Sequence, residues 1–171
     1  QKMSKSKGNV IDPIQLIEKF GADALRFTLT ALAAQGRDVR LSEQRVEGYR
    51  NFCTKIWNAA RFCEMNKCRT VASFDPGQVS GIVNKWIIGK LVDTERAMSA
   101  AIESYRFNDA AQAAYTFTWG SFCDWYLECI KPILQEDQES EAKVEVRNTA
   151  AWVLEKILHL LHPIMPFVTE E

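Results

Sequence analysis

The chain has 171 residues, 47% of them hydrophobic and 25% charged, with a formal net charge of −1. That balance belongs to a globular domain able to bury a core, and no apolar run approaches the roughly 20 residues a membrane-spanning helix needs. Five cysteines without a Cys-x-x-Cys pair, and only two histidines, His159 and His162, argue against a metal centre. The start lacks the basic, apolar and small-residue pattern of a secretory signal. A cytoplasmic protein with no membrane partner is therefore expected, with Cys53, Cys63, Cys123 and Cys129 as buried reduced thiols.

In chain order, residues 1–9 read as a polar, lysine-rich loop. Asp12-Pro13 then predicts a helix start: Asp caps, Pro suits the first turn, and Gln15 stands at capping-box spacing. Gly21, after Phe20, ends that helix in a conformation glycine favours. A second helix spans about 22–34 and breaks at Gln35-Gly36-Arg37-Asp38. Ser42 is placed to cap a long third helix reaching about Lys67, with an apolar stripe of Val46, Tyr49, Cys53, Ile56, Trp57 and Ala60. Residues 70–81, with Asp75-Pro76-Gly77, read as a connection.

Helices follow over about 82–105, 108–131 and 138–162. Asn108 and Asp109 open the middle one, Pro132 closes it, and Pro163 closes the last. Trp119, Phe122, Trp125 and Tyr126 recur at helical spacing and read as core. Asp124 and Glu128, four apart, read as a solvated or salt-bridged surface pair, and His159 as a capping or packing residue near a helix end. Thr169-Glu170-Glu171 begins another turn of helix, and both ends read as cuts from a longer protein. The expected fold is all-α: an antiparallel helical bundle over 42–171, preceded over 1–41 by a loop and a short two-helix connecting unit.

Two segments carry chemistry. In the first, Lys2, Lys5 and Lys7 alternate with Ser4 and Ser6 ahead of Gly8. Ammonium groups and hydroxyl donors on one loop suit a triphosphate, where they neutralise charge that builds on a leaving pyrophosphate. The pattern is not a Walker A loop, which needs Gly-x-x-x-x-Gly-Lys-Ser/Thr. The second segment is the long helix. At 100° per residue Asn51, Lys55, Asn58, Phe62 and Met65 share a stripe away from its core face, with Arg61 at the border. A ring to stack on, an amide for base edges and cations for phosphate suit a reader of unstacked RNA, the alternative being that Phe62 packs under a neighbouring helix. Charge distribution agrees: residues 1–69 hold 13 Lys and Arg against 7 Asp and Glu, and residues 70–171 hold 8 against 15.

The order Lys2-Met3-Ser4-Lys5-Ser6-Lys7-Gly8-Asn9, with Val10-Ile11-Asp12-Pro13 and Phe20-Gly21-Ala22-Asp23-Ala24-Leu25-Arg26 behind it, resembles the signature loop of class I aminoacyl-tRNA synthetases and its sequel. Gly36-Arg37-Asp38-Val39-Arg40-Leu41, residues 50–62, residues 119–128 and His162-Pro163-Ile164-Met165-Pro166-Phe167 resemble the valine enzymes of that class. The resemblance implies ATP, with Mg2+ in the parent enzyme, as the nucleotide. It makes Lys5 the main phosphate ligand and catalytic residue, Lys2 its auxiliary, and Ser4 and Ser6 supports of the ATP-binding loop. It implies an anticodon-binding bundle whose Arg45, Lys55, Asn58, Arg61 and Phe62 meet the anticodon stem-loop of valine tRNA. Thr54 stands where the family often has Asn. The class's His-Ile-Gly-His signature is absent, so these residues alone are expected not to activate valine. The residues themselves leave open a leucine or isoleucine enzyme, or a helical protein-interaction module with a basic terminus.

Overall fold

A computed structural model describes residues 11–36 and 38–171, and among them the secondary structure is entirely helical. Helix α1, Pro13–Phe20, starts where Asp12 accepts the N–H of Ile14 at 2.9 Å. It ends at Gly21, whose φ of +89° is closed to residues with a Cβ; the Gly21 N–H caps the Ile17 carbonyl at 2.8 Å. That joint folds α2, Ala22–Leu32, back on α1. Leu16 and Phe20 then meet Ala24, Leu25 and Val46 in a small apolar cluster, which fixes the two-helix unit on α3, Glu43–Met65.

Ser42 has the extended backbone of an N-cap, but its hydroxyl accepts no helix N–H, so the expected side-chain cap does not form. At the other end α3 closes as a Schellman motif. Lys67 takes φ +60°, its N–H bonds to the Glu64 carbonyl, and the Cys68 N–H bonds to the Cys63 carbonyl, both at 2.9 Å. A 3-10 turn, Pro76–Gln78, leads to α4, Ile82–Glu103. Helix α5, Phe107–Tyr115, runs into a π-helical stretch, Thr116–Tyr126, and then into α6, Leu127–Leu134. Helices α7, Glu141–Leu161, and α8, Pro166–Glu170, complete the described fold.

Two boundaries differ from expectation. Helix α5 starts at Phe107 with Arg106 at the cap position, held by an Arg106–Asp109 ion pair of 3.2 Å instead of by Asn108. Pro132 lies inside α6: burial of Ile130 and Leu134 on either side outweighs the one hydrogen bond proline cannot donate.

The π stretch has a physical reason in its side chains. Phe117 and Phe122, and likewise Thr118 and Cys123, are five apart and all buried. In an α-helix five residues turn about 140° away from a face; i→i+5 bonding brings them back to one side. Phe122 stacks on Tyr126 with centroids 5.8 Å apart. The same rotation turns Trp125 outward, 66% exposed, and leaves Cys129 exposed, so neither is core as its spacing predicted.

The bundle core is aromatic where α2, α3 and α5 meet. Phe27 lies 5.2 Å from Phe52, Phe52 4.8 Å from Tyr115, and Tyr115 5.7 Å from Trp119, centroid to centroid. Phe52 is fully buried while Trp57 is 44% exposed. The buried face of α3 is thus rotated toward Phe52, Ile56, Ala59 and Cys63, and Trp57 falls on its margin beside Phe20 and Phe167. A polar knot closes the far end. Glu145 of α7 accepts from the Ser80 and Gly81 N–H groups at 2.8 and 2.9 Å and from the Asn84 amide at 2.7 Å. The Asn84 carbonyl in turn accepts the Tyr126 hydroxyl at 2.8 Å.

Candidate nucleic-acid interface

The solvent face of α3 is built by exclusion. Once Phe52, Ile56, Ala59 and Cys63 point inward, helical periodicity sends Asn51, Asn58, Arg61 and Met65 outward. Asn51, Asn58 and Arg61 are exposed, and Met65 is 77% exposed. Arg61 forms no ion pair among the described residues. It presents its full fork of donors, which suits phosphate or a base edge.

Lys55 and Phe62 sit on the flank of that face, where α3 meets the π stretch and α6, and both are half-buried. Lys55 Nζ bonds to Asp124 Oδ1 at 2.7 Å and stands 5.2 Å from the centre of the Trp119 ring. The hydrogen bond to Asp124 raises the Lys55 pKa against the smaller opposing effect of its burial. Lys55 is therefore a cation already matched with a carboxylate. Phe62 packs against the core and has Lys131 Nζ 5.8 Å from its ring centre; Lys131 in turn pairs with Glu128 at 2.6 Å. The ring, expected either to stack on bases or to pack under a neighbouring helix, is half covered, because packing one side of Phe62 on the core beside Lys131 removes apolar area from water.

Asp124 and Glu128 form ion pairs, as expected of acids on a helix surface, with Lys55 of the candidate site and with Lys131 beside it. Arg45 is exposed in the first turn of α3, ten residues or about 15 Å of helix from Lys55, and its direction on the wheel is not that of Asn58 and Arg61. The structure thus groups Lys55, Asn58, Arg61 and Phe62 and sets Arg45 apart. Lys2, Ser4, Lys5 and Ser6 lie outside the described residues. Sequence reading missed Lys131 and Trp119 as neighbours of the site, since both arrive through tertiary packing of a distant helix. Among the described residues no group of three or more His, Cys, Asp or Glu side chains is placed to hold a metal ion, and no helix is long and apolar enough to cross a membrane.

Comparison with known proteins gives this arrangement a family. A family model described as the anticodon-binding domain of tRNA ligase matches residues 84–171, and one described as tRNA synthetases class I (I, L, M and V) matches residues 1–42. Helix α3 falls between the two. The chain is 59% identical over 170 residues to a valine–tRNA ligase from Rhodopseudomonas palustris and 58% identical over 170 residues to one from Caulobacter vibrioides. Each match spans 99% of this chain but only 18% and 19% of the relative, so the chain corresponds to under a fifth of their length. Among solved structures, a leucyl-tRNA synthetase–tRNA complex from Agrobacterium radiobacter K84 superimposes with a TM-score of 0.76 at 20% identity, over 99% of this chain and 20% of that one. A Mycobacterium tuberculosis methionyl-tRNA synthetase bound by methionyl-adenylate gives 0.78 at 22%, over 99% of this chain and 34% of that one. These two establish the fold. The chain belongs to the family of anticodon-binding domains of tRNA ligases, behind a segment of the class I synthetases.

Proposed function

We propose that the chain works as part of a valine–tRNA ligase, which joins valine to its tRNA at the expense of ATP. Residues 42–171 serve as the anticodon-binding bundle, and residues 1–41 carry the signature loop and the helices that connect it. The observation that carries the reading is identity of 59% to a valine–tRNA ligase across 99% of the chain. The exposed Asn58 and Arg61 supply the chemistry for RNA: an amide for base edges and a guanidinium for phosphate. Lys55 and Phe62 border them as further contacts to the anticodon stem-loop, and Arg45, apart in the first turn of α3, is another.

Lys2 and Lys5, with Ser4 and Ser6, have the donor chemistry for the ATP phosphates, and Mg2+ accompanying the nucleotide would share that charge. These 171 residues contain no His-Ile-Gly-His sequence and, among the described residues, no strand. By themselves they are expected to give no ATP–pyrophosphate exchange.

Binding of valine tRNA to the 171-residue chain, competed by a variant with an altered anticodon loop, tests the proposal. Preference for the native anticodon supports it. Equal binding of both RNAs, or none by a folded chain, overturns it, and the second result favours a protein-interaction module.

A further inference from the structure

The Schellman closure at the end of α3 has a chemical consequence. In that motif the third residue from the helix end and the second beyond its cap pack side by side. Here those residues are Cys63 and Cys68. The Cys68 amide nitrogen lies 2.9 Å from the Cys63 carbonyl oxygen. Ordinary backbone dimensions then hold the two Cα atoms within about 6.8 Å, inside the range a disulfide spans.

The two side chains lie in one apolar cluster at this helix end. The Cys68 thiol beside it and its own burial push the Cys63 thiol up. The neighbouring Cys63 thiol and Arg147, against the opposing effect of burial, bring the Cys68 thiol down. Arg147 is fixed there by its Nε–H bond to the Asn66 carbonyl at 3.0 Å. Both cysteines are nearly buried, at 2% and 9% exposure, yet both line one cleft of about 490 Å³ together with Arg69 and Glu155.

We propose that Cys63 and Cys68 are a modification site, where a small peroxide forms a thiol-reversible disulfide that pins the end of α3 next to Arg61 and Phe62. The Cys68 thiolate attacks a peroxide oxygen, giving a sulfenic acid and hydroxide. The Cys63 thiol then attacks that sulfur, the S–S bond forms, and water leaves. One hydrogen peroxide is reduced to two waters as the two thiols are oxidised. Cys53 and Cys123, whose thiols burial pushes up to about 11 and 12, have too little thiolate to compete.

The test treats the full-length protein with hydrogen peroxide, alkylates free thiols and maps the tryptic peptides. Trypsin cuts after Lys67, so the disulfide shows as residues 62–67 joined to Cys68-Arg69. The expected product is that linked pair, separated by dithiothreitol, with Cys53 and Cys123 still alkylated. Absence of the pair, or oxidation confined to the exposed Cys129, overturns the proposal. A Cys68→Ser variant, which keeps the size of the side chain, should leave Cys63 unmodified under the same treatment. Oxidation of Cys63 there at the wild-type rate would show that Cys68 is not the attacking thiol.

Discussion

At the scale of single residues, the face of α3 separates two kinds of cation. Arg61 is exposed and unpaired among the described residues, so Arg61→Ala should leave stability within about 0.5 kcal/mol. It should weaken tRNA binding and lower the salt dependence of the affinity by about one counterion. A titration across a potassium chloride series reads both, and an unchanged slope would remove Arg61 from the phosphate contacts.

Lys55 behaves differently because Asp124 holds it. Asp124→Asn removes a negative charge and releases the ammonium, so tRNA affinity should rise and its salt dependence steepen. Weaker binding would show instead that Asp124 orients Lys55 productively. Phe62 has two jobs, since it packs on the core and borders the site. Phe62→Ala should lower the melting temperature and also cost about 1–3 kcal/mol of stem-loop affinity, the size of one base stack. Loss of stability with unchanged affinity would leave Phe62 as packing alone.

At the scale of elements, much of the helix order was legible in the sequence because the punctuation is local. Asp12-Pro13, Gly21 and Pro163 each act on their own backbone. The candidate site was legible in part: Asn58 and Arg61 follow from periodicity alone. The covering of Phe62 by Lys131 and of Lys55 by Asp124 depends on how α6 and the π stretch cross α3, which no local pattern encodes. The π stretch was hidden for a related reason. It exists to keep Phe117 and Phe122 on one face, and a period of 3.6 assumed in advance misplaces Trp125.

Glu145 is the element-scale joint that lends itself to a pH test. Burial acting alone would raise its pKa, but hydrogen bonds from Ser80, Asn84 and Gly81 hold the carboxyl down at about 2, against 4.5 ordinarily. A depressed folded-state value means the added stability is complete above pH 4.5 and is lost as pH falls toward 2. The melting temperature should therefore decline over that window. Glu145→Gln should lower it at neutral pH, because the Ser80 and Gly81 N–H groups lose a charged acceptor, and should flatten the acid decline. A wild-type acid slope retained in the variant would mean that other carboxylates govern it.

At the scale of the whole molecule, the question is whether α1 and α2 fold with the bundle or only rest on it. Their function is proposed to belong to residues 1–41, but their packing crosses that boundary. Phe27 of α2 is 1% exposed and sits in the same core as Phe52, Ile87 and Ile157. Arg26 donates to the Ile164 and Pro163 carbonyls at 2.8 and 3.0 Å, and Asp23 accepts the Val168 N–H at 2.6 Å. Residues 137 to 145 positions apart are thus joined through α2, so opening it would expose the aromatic centre and unlatch α8 together. Cooperative unfolding is the physical consequence, since no step frees α2 without exposing shared core. Chemical denaturation followed by helix signal and by tryptophan emission should give one coincident transition. Phe27→Ala should shift that whole transition by roughly 3–5 kcal/mol, the cost of emptying a fully buried aromatic site. Two transitions, with Phe27→Ala moving only the first, would show instead that α1 and α2 come away from a bundle stable without them.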